Sequence, residues 1–152
     1  MFSKIVIGVD GSTGSHHAAV AAIEFAQKFD AELLVVSVLP PVNASVASAP
    51  TMPYAMGMEM MANMEPVLEA AEHERSEAIS EADNVFDKAG VRYRNFSESG
   101  NVAEAIVRVA DEQKADLIVV GSRGLTGFER FLFGSTSDSV THNSHCPVLI
   151  IR

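Results

Sequence analysis

Three runs of consecutive apolar, largely β-branched residues constrain this chain most: Ile5-Val6-Ile7-Gly8-Val9, Leu33-Leu34-Val35-Val36-Ser37-Val38 and Leu117-Ile118-Val119-Val120. Continuous apolarity in so short a run suits a strand covered on both faces, the condition of a parallel sheet. Between and after these runs the apolar period becomes helical. From His16 to Phe29, Ala19, Ala22, Ile23, Phe25 and Ala26 recur at helical spacing. A second helix is predicted from Glu65 to Ala89, with Val67, Leu68, Ala71, Ala78, Ile79, Ala82 and Phe86 as its buried stripe. Pro66 suits its first turn, and Gly90 the position after its end.

Val91 to Ser97 alternates polar and apolar residues and reads as a more exposed strand. Asn101-Val102-Ala103-Glu104 resembles a capping box and opens a helix to about Gln113 with Ala105, Ile106, Val109 and Ala110 inward. Ser135 to about Asn143 forms a short helix, and Pro147 to Ile151 a closing strand. Strands alternating with helices imply parallel pairing through right-handed crossovers. The 152 residues suit a single domain, and no repeat or second boundary interrupts them. The exception to the alternation is a loop at about 40–64. It holds Pro40, Pro41, Pro50 and Pro53, and six of the seven methionines: Met52, Met56, Met58, Met60, Met61 and Met64.

Charge and cysteine usage narrow the function classes. The net charge of −9 opposes binding to a polyanion such as nucleic acid. The one cysteine, Cys146, rules out an internal disulfide. No stretch approaches the roughly 18 apolar residues of a membrane span. The expectation is a cytoplasmic protein without a membrane partner.

In an open parallel sheet, ligands bind beyond the carboxyl ends of the strands, where the strand order reverses. With the first strand central, Asp10, Val38 and the loop starting at Gly121 gather there. That loop reads Gly121-Ser122-Arg123-Gly124, nine residues, then Gly134-Ser135. Glycines allow backbone N–H groups to approach an anion, and Gly134-Ser135 opens a helix whose free N–H groups favour phosphate. Arg123 and Arg130 can supply charge. Glycines after a strand are also common as plain turn formers, and an Asp after a strand often caps the next turn. Neither a Walker A loop nor a G-x-G-x-x-G fingerprint is present.

Three segments carry a family resemblance: Lys4-Ile5-Val6-Ile7-Gly8-Val9-Asp10-Gly11-Ser12, Val119-Val120-Gly121-Ser122-Arg123-Gly124 through Gly134-Ser135-Thr136-Ser137, and Cys146-Pro147-Val148-Leu149-Ile150. Together they resemble the universal stress protein (UspA-like) family, in its ATP-binding branch. The resemblance covers the chain apart from the loop at 40–64, which varies in the family. It implies a doubly wound, Rossmann-like α/β fold with a five-stranded parallel sheet of order 3-2-1-4-5 and helices on both faces. It also implies an adenine nucleotide (ATP, ADP or AMP) with Mg²⁺ beside the outer phosphates. Asp10 would meet the nucleoside, and Gly8, Val9 and Val38 would flank the adenine. Val120, Gly121, Arg123 and Gly124 would line the ribose and first phosphates, and Gly134, Ser135, Thr136 and Ser137 the outer ones. The family also pairs into homodimers through the last strand, and an apolar edge strand invites such pairing.

Other candidates carry less. His142, His145 and Cys146 lack further ligands at metal-site spacing. His16 and His17 are adjacent and point apart on a helix. The methionines suit a flexible apolar lid or a partner surface better than Cu(I). No catalytic set is visible. Three functions stand: a nucleotide-binding stress sensor or switch, a slow ATPase or nucleotidyl transferase, and a dimeric interaction module whose glycines are structural.

Overall fold

The computed structural model describes residues 2–39, 54–122 and 135–152, with residues 54–63 as backbone only. In chain order the elements are β1 (Lys4–Gly8), α1 (Thr13–Phe29), β2 (Glu32–Leu39), α2 (Tyr54–Ala89), β3 (Tyr93–Ser99), α3 (Val102–Gln113), β4 (Leu117–Gly121), α4 (Ser135–Asn143) and β5 (Val148–Ile151). The five strands form one sheet of order β3-β2-β1-β4-β5, and every pair is parallel. The doubly wound expectation is met.

Alternation along the strands divides the core. Ile5, Ile7, Val9, Leu33, Val35 and Val119 pack with α1 and with Ala78, Ala82 and Phe86 of α2. Val6, Leu34, Val36, Ile118 and Val120 pack with Ile106 and Val109 of α3 and Val140 of α4. The strand order reverses at β1, so right-handed crossovers place α1 and α2 on one face and α3 and α4 on the other.

Local signals set most helix ends. Ser12 caps α1 by accepting from the Ser15 N–H, and Asn101 caps α3 by accepting from the Glu104 N–H. Gly90 follows α2 at φ +67°, where glycine is unstrained. The largest differences from the sequence reading are in β3 and α2. β3 begins at Tyr93 and runs to Ser99, because Tyr93 pairs with Leu33 and Ser99 with Leu39. α2 starts at Tyr54, so the helix takes in residues 54–64 and Pro66 lies inside it. Met and Ala are strong helix formers, and the missing N–H of one proline does not outweigh them. The prolines at 40, 41, 50 and 53 lie outside the described residues.

Polar contacts fasten α2 to β3 in sequence. Tyr93 Oη donates to Asp87 Oδ1 at 3.1 Å, Asn95 Nδ2 to both Asp83 oxygens at 3.0 Å, and Arg75 Nη1 reaches the Glu98 carbonyl at 3.5 Å. Desolvation, then the Asp87 carboxylate, raise the Tyr93 hydroxyl above its ordinary pKa.

At the amino edge of the sheet, Asp116 ties β4 to β1. Its Oδ2 accepts from Ser3 Oγ (2.7 Å), the Ser3 N–H (2.7 Å) and the Lys4 N–H (2.9 Å). These donors hold its pKa below the usual 3.8 against a smaller desolvation penalty. A carboxylate with a depressed folded pKa stabilises fully above its unfolded pKa, and the contribution fades as pH falls through the folded value. Asp116→Asn is therefore expected to cost about 1 kcal/mol at pH 7, and the gap to the parent should close below pH 3.8. Urea unfolding at pH 7 and pH 3 measures this; a gap independent of pH would contradict it.

Candidate functional site

The carboxyl ends of β1 and β4 lie side by side where the strand order reverses. After Gly8 the chain passes through Val9, whose N–H donates to the Val36 carbonyl at 2.9 Å. Asp10 follows, exposed, and its Oδ1 accepts from the Ser12 N–H at 2.9 Å. Asp10 thus shapes the turn into α1, with Gly11 at φ +75° and Ser12 as the cap. Ser15, 7% exposed, donates from Oγ to the Ser12 carbonyl at 2.9 Å. Sequence reasoning read Ser12 only as part of a turn and missed its capping role and its contact with Ser15; a serine at the turn before the helix, three residues ahead of another serine, was the available signal.

Gly8, Val38 and Val120 share the α3–α4 face. A Cβ on Gly8 would lie 3.0 Å from Ile106 Cδ1 of α3. Val38 and Val120 pack in the same layer as Ile106, Val120 fully and Val38 half-buried. The bare backbone of Gly8 therefore lies between β2 and β4 on this face. α4 packs on the same face through Val140 and runs back toward the amino edge, so Ser135 stands at the carboxyl edge. Ser135 is exposed, Thr136 half-buried and Ser137 1% exposed. N–H groups in a helix's first turn lack intrahelical acceptors. Asp138 also lies in that turn, with His142 Nδ1 3.6 Å from its Oδ1.

Gly121 has a different requirement. A Cβ there would sit 2.6 Å from the carbonyl carbon and oxygen of Gly14 in α1. The first motif glycine is thus demanded by helix packing, whatever else the loop does, and Gly14 is a partner the sequence reading did not find. Arg123, Gly124, Arg130 and Gly134 lie outside the described residues. A separate cleft of about 270 Å³ opens on the α1–α2 face, lined by Ser12, His16, Ala78, Glu81 and Val85 among others. It lies across the sheet from Val38 and Val120.

His145 Nδ1 stands 3.3 Å from Asp111 Oδ2, and Cys146 Sγ 3.6 Å from Ser144 Oγ. Among the described residues no group of three or more His, Cys, Asp or Glu is arranged to hold a metal ion. No helix of the described residues is long and apolar enough to cross a membrane.

Comparison with known proteins gives one family. The family model described as the universal stress protein family matches residues 1–152. A universal stress protein of Methanocaldococcus jannaschii is 37% identical over 152 residues, covering 100% of this chain and 83% of the relative. The structure of UspA from Lactobacillus plantarum superposes with a TM-score of 0.77 at 24% identity, covering 99% of this chain and 98% of that one. A crystal structure of a universal stress protein in complex with cAMP matches with a TM-score of 0.61 at 28% identity, covering 99% and 97%.

Proposed function

Because the chain belongs to the universal stress protein family, we propose that it binds an adenine nucleotide at the carboxyl edge of its sheet and acts as a stress-linked sensor or switch. The observation that carries this reading is the convergence, on one face, of the bare Gly8 backbone, the valines at 38 and 120 and the first turn of α4. Apolar strand ends beside a helix N-terminus suit a ligand with a flat apolar base at one end and phosphate at the other. The glycine spacing from Gly121 to Ser135 supports the same ligand, as does the relative solved with cAMP.

In this reading the backbone at Gly8, Val9 and Val38 flanks the base, and Asp10 takes a ribose hydroxyl on the carboxylate oxygen that Ser12 does not use. Val120, Gly121, Arg123 and Gly124 line the ribose and inner phosphate. Gly134, Ser135, Thr136 and Ser137 receive the outer phosphates, with Mg²⁺ offsetting their charge and that of Asp138. β5 is the outer strand of the sheet, with Val148–Ile151 half-buried in one copy, and it pairs with a second chain to form the homodimer.

Calorimetric titration with ATP and Mg²⁺, on protein sized by light scattering, tests both parts. The expected result is one nucleotide per chain at twice the 16.2 kDa mass, with Ser135→Ala about fivefold weaker for one lost hydrogen bond. Silence at millimolar ATP, with no nucleotide released from freshly purified protein, sinks the ligand. The mass of a single chain sinks the dimer. Gly121 favours one second reading, an interaction module with structural glycines, since packing alone accounts for that residue; silence toward ATP with the dimer intact would favour it.

A further inference from the structure

α2 is far longer than the sheet it covers. Its contacts pair Asp87 with Tyr93, Asp83 with Asn95, and Arg75 with the Glu98 carbonyl. Since β3 ends at Ser99, the helix N-terminal to Arg75 lies beyond the carboxyl edge. The residues from Tyr54 to Glu74 amount to about 30 Å of helix at 1.5 Å per residue.

This overhang does not carry the fully polar surface of a solvated helix. Met64, Val67, Leu68 and Ala71 follow i, i+3, i+4, i+7 spacing, in line with the stripe that Ala78, Ala82 and Phe86 bury against the sheet. Here the stripe is only partly covered: Met64 and Ala71 are half-buried, while Val67 is 61% exposed and Leu68 36%, although the sequence reading placed both in the core. At about 100° per residue, Glu65 and Glu72 fall on one flank and Glu74 and Glu77 on the other. With Glu69, residues 64–77 hold five carboxylates against one arginine, and Arg75 is already engaged with Glu72 and the Glu98 carbonyl.

We infer that residues 64–77 of α2 are a docking surface for a basic amphipathic helix of a partner protein. An apolar ridge between acidic flanks is complementary to an apolar face bordered by Lys or Arg, the flank pairing that sets partner choice between packed helices. Charge argues against a second copy of this helix, because two acidic flanks would repel. Topology agrees: α2 packs against β2 and against β3 at one edge of the sheet, whereas β5 forms the opposite edge. Pairing through β5 therefore leaves this surface uncovered.

The test uses the full chain and a synthetic 18-residue helical peptide with Leu on one face and Lys on the other, beside a counterpart with Glu in place of Lys. Fluorescence anisotropy should show binding of the Lys peptide and none of the Glu peptide. Deuterium exchange should slow within residues 64–77 on binding. Val67→Ser with Leu68→Ser, and separately Glu65→Lys with Glu74→Lys, should each weaken binding at least tenfold. These exposed positions should leave the melting temperature within about 2 °C of the parent. Equal affinity in the variants, or protection elsewhere, overturns the proposal. A fall in the parent's sedimentation mass on Val67→Ser with Leu68→Ser also overturns it, since a second copy would then be the occupant.

Discussion

Gly121→Ala is expected to lower the unfolding free energy by about 2–3 kcal/mol, as forced overpacking typically does. The added Cβ would stand 2.6 Å from backbone atoms of Gly14, which cannot swing aside as a side chain can. Either the first turn of α1 lifts off β4 or the end of β4 bends. For a chain of 152 residues that corresponds to a melting temperature lower by about 5–10 °C. Thermal unfolding followed by circular dichroism measures it. A melting point within 1 °C of the parent's would show that α1 is not seated on Gly121. The consequence for function is direct: loss of nucleotide binding in this variant says little about phosphate contacts, because the turn bearing Asp10 and Ser12 moves with α1. Ser135→Ala, at an exposed helix start, is the cleaner probe.

Phe86→Ala should cost about 3–5 kcal/mol, the range for removing a buried phenyl ring. Phe86 is 0% exposed and lies with its ring centroid 5.3 Å from that of Tyr93. Among the described residues the other buried side chains of α2, Ala78 and Ala82, are small, so the ring supplies much of the apolar area fastening this helix to the sheet. Urea unfolding should show a lower midpoint. Deuterium exchange should quicken along α2 before it does in α3, because the lost contact is local. Equal quickening across the domain would mean that α2 does not open separately. Since the acidic overhang continues the same helix, this variant would also loosen the proposed docking surface, whereas Val67→Ser with Leu68→Ser would not loosen the core.

The comparison of Val67 and Phe86 shows where the sequence stops informing. Both occupy the apolar stripe of one helix and read alike by periodicity. Periodicity reports which residues share a face; it does not report how far the opposing surface extends. Only the length of β3 and the position of Arg75 against Glu98 place Phe86 inside and Val67 outside. The start of α2 at Tyr54 was hidden for a related reason: prolines and methionines in one stretch read as a loop, although methionine is a good helix former.

The site divides in the same way. That Asp10, Val38 and Gly121 lie at strand ends follows from the three β-branched runs, which suit a parallel sheet buried on both faces, an arrangement that brings those ends to one edge. The capping of α3 by Asn101 was equally legible, because a cap acts through residues three apart. What each glycine is for depends on contacts between segments far apart in the chain. Gly121 meets Gly14 of α1 and Gly8 meets Ile106 of α3, on opposite faces of the sheet. Local spacing determines secondary structure, strand ends and caps through short-range sterics and hydrogen bonds. Close approach between distant segments exists only after the layers pack, and that packing decided that one motif glycine seats a helix and that Val67 and Leu68 of the longest helix lie exposed.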